Sequence, residues 1–557
     1  MTTIESSPDA VGAAGGESAI GSFPVVAAAW LTSTDHKRIG RLFLGGSFVG
    51  LAATAVIGLL LGIERVDGGE VLFDINAIPQ LFQLHRFGLI SFTLIPLGIG
   101  LSIAVVPFQL GARSLAFPRL ALAGFYGWVG GLVLVVVALA NNGGIGGGDP
   151  DMVDLFLAGH GLMALGLIAA AASIATSVLT TRAPGMSMRR VPLFSWSALV
   201  SAIGVLLSLP VLVGALVFLF VDHRNARAVF GGNEGIGNWI GWAFTQPVSY
   251  VFALPAIGVA AELLPVTFAR RQVMRGVVYT GLALVGVGAL SAVTQQNVHN
   301  LPWSGSGLDT DQLGTKFDDF VPFALFNLLP VLGVLIVMAV GALGAKGARP
   351  SITSPFLFGF FGIGMILVGM LGGAIYPIDD LGLQGTVFEE GALVYVVYGA
   401  VLGIMGGVVF WAPKLWGRTV PDKPAMGLAG LGLIATVLAS LPYYAAGFAD
   451  QPAASPTYDY DGPAELWNAL VLVGHGLMLL TVLAFAGLAT KALRTIDDAG
   501  GDAGDDDAGD APGDDPWDAH TIEWTTTSPA PFDNFAEVPV VTSAEPALDR
   551  KSLELSS

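Results

Sequence analysis

The sequence predicts an all-α integral membrane protein with about twelve transmembrane helices. Three observations predict it: a composition too apolar for water, twelve separated apolar runs of spanning length, and basic residues that alternate from loop to loop. Of the 557 residues, 53% are hydrophobic and 12% charged, and the mean hydropathy is +0.70, outside the range of soluble globular chains. Inside a bilayer each segment must satisfy its own backbone polar groups. The period-two alternation of a membrane barrel is absent, so the runs are helices.

A helix needs roughly 20 residues to cross about 30 Å of hydrocarbon. Runs of that length fall near 41–63, 86–111, 120–141, 154–179, 193–221 and 238–268, and again near 276–296, 320–345, 354–376, 390–413, 425–448 and 465–490. Glycine, at 75 residues, suits helices that pack closely in lipid. Twenty of the 25 Lys and Arg residues fall in the approach to the first run, in alternate loops and in the tail; the other five are Arg65, Arg86, Arg224, Arg227 and Lys316. Retention of basic loops in the cytoplasm then puts both termini inside the cell membrane. An even number of spans requires the same.

The 43 acidic residues and formal charge of −18 exclude nucleic acid as a partner and suit a salt-rich environment. The loops opposite the basic ones carry Asp149, Asp151, Asp309, Asp311, Asp379 and Asp380 and read as a solvated outer surface. The absence of cysteine excludes disulfides, thiolate catalysis, iron–sulfur clusters and cysteine-ligated copper. Four segments follow. Residues 1–29 are a disordered cytoplasmic segment without signal-peptide character, and 30–495 form the membrane domain. Residues 496–514 are an acidic Gly/Asp linker too polar to fold, and 515–557 a cytoplasmic tail whose aromatics and prolines read as a docking strap.

Ordered strings along this frame resemble subunit I of the heme-copper oxidase superfamily, of the cytochrome c and quinol oxidase type. They are Trp30-Leu31-Thr32-Ser33-Thr34-Asp35-His36-Lys37-Arg38, Pro107-Phe108-Gln109-Leu110-Gly111 with Ala116-Phe117-Pro118-Arg119, and Arg182-Ala183-Pro184-Gly185-Met186. Trp411-Ala412-Pro413-Lys414 and, in the tail, Thr521-Ile522-Glu523-Trp524 with Asn534-Phe535 continue the series. The resemblance covers roughly 30–545 and implies the twelve-helix subunit I arrangement. It also implies hemes, copper and six histidine ligands serving dioxygen reduction coupled to proton translocation.

Carried over one by one, those ligands are mostly replaced. The second-helix ligand of the low-spin heme maps onto His85, which also reads as a helix-end histidine at an interface, needing no metal. The sixth-helix copper motif becomes Gln246-Pro247-Val248-Ser249-Tyr250, and the histidine pair of the seventh helix becomes Gln295-Gln296. The two heme histidines of the tenth helix fall at Gly391 and Leu393. An amide oxygen is a poor substitute for imidazole toward copper or iron. The arginines that hold heme propionates fall at Tyr443-Tyr444, the magnesium-site pair near Leu383 and Gln384, and the proton-path carboxylates at Ser114 and Val248.

Gln246, Tyr250, Gln295 and Gln296 would together line a polar cavity, satisfying one another or holding a quinone head group, a lipid or a hard cation. His160 and His475 share the string Gly-His-Gly-Leu-Met and read as packing histidines on helices that do not converge. His223 and His299 lie near helix ends, and His36 and His520 in polar cytoplasmic segments; none has ligand spacing.

The expected function is therefore that of an oxidase subunit I-like protein without heme or copper, a non-catalytic paralogue with a structural, assembly or partner-binding role. Its expected partners are the bilayer and other oxidase-type subunits. One alternative is an active terminal oxidase with unusual ligands, which alone would bring heme and copper. The other is a carrier of cations or small molecules through the glutamine cavity, against which no buried carboxylate, lysine or discontinuous helix marks a pathway.

Overall fold

The computed structural model describes residues 28, 30–67, 72–73, 77–293, 320–455, 463–494 and 513–554. The chain divides into two units, Met1–Ser33 and Thr34–Ser557. In the first, Thr32 Oγ1 donates to the Ala28 carbonyl at 2.8 Å.

Among its described residues the second unit has twelve helices long and apolar enough to cross a membrane. They are α1 His36–Val66, α2 Ile78–Gln109, α3 Pro118–Ala140, α4 Pro150–Thr180, α5 Leu193–Arg224, α6 Gly235–Thr267, α7 Arg275–Ala292, α8 Phe320–Ala345, α9 Ser354–Ile375, α10 Phe388–Trp416, α11 Asp422–Phe448 and α12 Ala464–Ala492. The predicted spans are all present. Helix ends follow local chemistry. Asp149 caps α4 by accepting from the Asp151 and Met152 amides, with Pro150 at the first helical position. Gly417, at φ 70°, ends α10 in the left-handed conformation that a glycine takes without penalty.

Small residues set the helix spacing. A Cβ on Gly124 of α3 would stand 2.5 Å from the Gly166 carbonyl of α4, and one on Gly362 of α9 would stand 2.7 Å from the Gly399 carbonyl of α10. These backbones touch, which is how helices gain contact where lipid is as apolar as the side chains. The chain closes on itself, α12 packing against α1. α2 and α10 are buried along their whole apolar stretch, so whatever they carry faces protein.

Two elements depart from the predicted spans. The second span was expected to start at 86, but α2 begins at Ile78, because Ile78, Phe82 and His85 share one buried helical face. A π-helical stretch, Gly88–Leu94, follows directly; such stretches are rare and recur at functional sites. The sixth span is discontinuous, with helices Gly232–Ile240, Val248–Phe252 and Leu254–Thr267 separated around Thr245–Pro247. Pro247 has no amide hydrogen and disfavours helical geometry in the residue before it.

Residues 513–554 lie across one end of the bundle. Trp411 Nε1 donates to Glu523 Oε1 at 3.0 Å, Lys37 Nζ to the Pro531 and Phe532 carbonyls at 3.0 Å, and Asn534 Nδ2 to the Ala112 carbonyl at 2.8 Å. His36, expected in a polar segment, is buried there, bonded to the Ile103 carbonyl at 3.1 Å and Asn534 Oδ1 at 3.0 Å. His520 is buried too. Docking of the tail buries both, His36 beneath it and His520 within it.

Candidate functional site

The longer α2 decides the surroundings of His85. It sits two turns inside the helix, 0% exposed, rather than at an interface. Its Nδ1 lies 3.3 Å from Glu390 Oε1 on α10. The other oxygen of that carboxylate accepts from Arg65 on α1 at 2.9 Å, and Arg65 also bonds the Tyr443 hydroxyl and the Ala453 carbonyl. On another side the His475 ring of α12 meets His85 edge-on, centroids 5.3 Å apart and planes at 89°. The Tyr398 hydroxyl holds His475 Nδ1 at 2.8 Å. A parallel pair, Arg86 with Glu389 at 2.6 Å, lies beside the first.

The sequence reading missed this cluster. It read His475 as a packing histidine apart from His160 and did not bring it to His85, which α12 does. It also found no buried carboxylate and no discontinuous helix; Glu390 is 2% exposed and α6 is broken. One sequence signal was present. Of the five basic residues that break the loop alternation, Arg65, Arg86 and Arg224 all pair with acids, the last with Asp151 and Asp154 at 3.1 and 3.0 Å. His160, by contrast, is a packing residue as expected, its Nδ1 on the Phe156 carbonyl at 3.1 Å and its ring among Phe87, Phe156 and Phe244. His223 bonds Asp154 at 2.7 Å.

The copper position is placed in part. Gln246 and Tyr250 lie one turn apart on α6, the tyrosine hydroxyl donating to the Gln246 amide oxygen, and Met370 O lies 3.4 Å from the same hydroxyl. Gly373 of α9 leaves room for them; a Cβ there would overlap both polar groups. Gln246 Nε2 is buried with no hydrogen-bond partner among the described residues. Gln295, Gln296 and His299 lie outside the described residues. Beside Gln246 a chamber of about 990 Å³ opens between α5, α6 and α9.

Gly391 and Leu393 are buried on α10, and a Cβ on Gly391 would meet the Ser440 carbonyl at 2.9 Å and Tyr443 Cβ at 3.0 Å. Tyr443 bonds Arg65, and the Tyr444 hydroxyl donates to the Val368 carbonyl at 3.2 Å. Leu383 is buried, and Gln384 bonds Asp379.

These residues do not fit the two metal centres. Metal–nitrogen bonds of about 2 Å place imidazoles on opposite faces of one iron with their centroids more than roughly 6 Å apart and the macrocycle between them. His85 and His475 touch edge to face instead, so the two rings do not bracket one iron. α10 supplies no second imidazole. Among the described residues, no group of three or more His, Asp or Glu is placed to hold a metal ion.

Fold and site thus define a polytopic helical membrane protein with a buried ionic cluster between α1, α2, α10, α11 and α12. The chain belongs to the family described as cytochrome c and quinol oxidase polypeptide I, which it matches over residues 38–478. It is 30% identical to a putative cytochrome c oxidase subunit 1-beta of Streptomyces avermitilis, over 93% of this chain and 91% of that one. It is 28% identical to cytochrome c oxidase subunit 1 of Corynebacterium diphtheriae, over 94% and 92%. A probable cytochrome c oxidase subunit 1-alpha of Streptomyces coelicolor is also 28% identical, over 95% and 90%.

Proposed function

We propose that this chain is a non-catalytic paralogue of oxidase subunit I, keeping the scaffold for a structural, assembly or partner-binding role in a respiratory membrane complex. One observation carries the reading: no second imidazole is placed to share an iron with His85, because Leu393 stands on α10 and His475 meets the His85 ring edge-on. The replaced positions Gln246, Gly391 and Leu393 agree with it. The alternation of basic loops favours a cytoplasmic position for the tail-bearing end of the bundle, where the outer face of the docked tail meets other subunits.

The test is an absorption spectrum with metal analysis on the purified chain. The reading expects no Soret band and no stoichiometric copper; one heme per chain overturns it. The names of the relatives favour a second reading, a working terminal oxidase. That reading requires oxygen consumption by the purified chain that His85→Ala abolishes.

A further inference from the structure

Between α6, α8 and α9 a slot of about 230 Å³ lies at the end of the bundle that carries the basic loops. Leu263 and Phe268 of α6, Met338 and Ala345 of α8, and Phe356 and Ile363 of α9 line it, and every residue of the described lining is apolar. Phe360, also in the lining, is 50% exposed, and Ala342 is exposed beside it. The slot therefore opens sideways, out of the bundle. Its α6 wall runs from Ala260 to Phe268, about 12 Å at 1.5 Å per residue, which is most of one leaflet's half of about 30 Å of hydrocarbon.

The mouth of the slot is cationic. Arg270 lies just past the end of α6, Lys346 directly follows α8, and Arg349 stands in the same α8–α9 loop. Arg270 lines a recess that shares Leu264, Phe268 and Gly341 with the slot, and its Nη2 donates to the Gly347 carbonyl at 3.4 Å. The Ser351 amide donates to the Thr267 carbonyl at 2.8 Å, which ties that loop across the end of α6. Arg270, Lys346 and Arg349 are exposed, and none has a carboxylate partner among the described residues. Arg271 differs, being committed to Asp549 and Glu545 of the tail. Slot and cations together select the occupant. The volume is below the roughly 300–1,000 Å³ of compact-ligand sites, and a partner's helix, about 10–12 Å across, is too wide to enter. A hydrocarbon chain fits, and basic residues without counter-charge at the hydrocarbon boundary favour an anionic head over a zwitterionic one.

We propose that this site binds one anionic phospholipid, an acyl chain lying in the slot between α6, α8 and α9 and the phosphate meeting Arg270 and Lys346. The site shares no residue with the His85 cluster or with the Gln246–Tyr250 pair. It goes beyond the proposed function and does not depend on it.

The test uses the full-length chain in detergent and tritiated dioleoylphosphatidylglycerol. Saturable binding of one lipid per chain is expected, about tenfold or more tighter than that of dioleoylphosphatidylcholine. Arg270→Gln/Lys346→Gln should weaken it about tenfold. Arg113→Gln/Arg119→Gln, an equal change of charge at exposed positions of the α2–α3 loop, should leave it unchanged. Ala342→Trp, at the exposed side of the slot, should weaken it about tenfold by filling the space of the chain. Equal binding of the two lipids overturns the proposal by making the slot an unselective lipid contact. Displacement of the probe by glycerol 1-phosphate at equal concentration overturns it too, since the head alone would then account for the binding. So does a loss in the Arg113/Arg119 variant as large as that in the Arg270/Lys346 variant, or binding that survives Ala342→Trp. Heme absorbance in the preparation removes the proposed function and leaves this inference standing, whereas failed lipid binding removes this inference alone.

Discussion

His85 Nδ1 lies 3.3 Å from one oxygen of Glu390, while the other oxygen takes Arg65 at 2.9 Å. The carboxylate joins α1, α2 and α10 in a region with exposures of 0–2%. A charge removed from such a pair leaves its partner buried and uncompensated. Glu390→Gln or Arg65→Leu should therefore each destabilise the protein by about 3–5 kcal/mol, and the double variant Arg65→Leu/Glu390→Gln by clearly less than the sum. Unfolding in detergent monitored by circular dichroism measures this; full additivity would show that the two side chains do not act as a pair.

Restoring an imidazole on α10 should not restore a heme. Leu393→His is expected to leave the visible spectrum flat, because His475 still packs edge-on against the His85 ring. The measurement is a spectrum of the variant expressed with excess heme. Gly391→Ala should destabilise by about 1–3 kcal/mol through overpacking, as its Cβ would meet the Ser440 carbonyl at 2.9 Å.

Tyr250→Phe removes the hydroxyl from the Gln246 amide oxygen and strands a buried acceptor. The expected loss is about 1–2 kcal/mol. Gln246→Leu in the Tyr250→Phe background should cost less than in the native chain, and a double-mutant cycle in thermal unfolding reads the coupling.

The tail carries a pH-dependent contact. Burial, reinforced by the nearby Lys551, holds His520 down to about 4 from an ordinary 6.5. Between those values the undocked tail binds more protons than the docked one, so docking is at full strength above pH 6.5 and weakens as pH falls toward 4. Hydrogen exchange of residues 519–525 should be faster at pH 5 than at pH 7 after correction for intrinsic rates. Burial pushes Glu523 in the opposite sense, above its ordinary value. His520→Phe therefore isolates the imidazole, and in that variant the acid-induced loosening should disappear.

Hydropathy and charge are properties of short stretches of chain, which is why the sequence by itself determined the twelve helices and the residue types at Gln246, Gly391 and Leu393. It also held an unread trace of the ionic cluster, since Arg65 and Arg86 stood out as basic residues in the wrong loops. What Arg65 pairs with could not be read locally: Glu390 lies 325 residues away, and His475 reaches His85 only because α12 closes the bundle against α1. The start of α2 was likewise a tertiary matter. Ile78–His85 is too polar to register as a span, and becomes part of one because neighbouring helices bury its apolar face and supply a carboxylate for its histidine. Side-chain partners across a membrane bundle are chosen by helix packing, and that choice exists only once all twelve helices are in place.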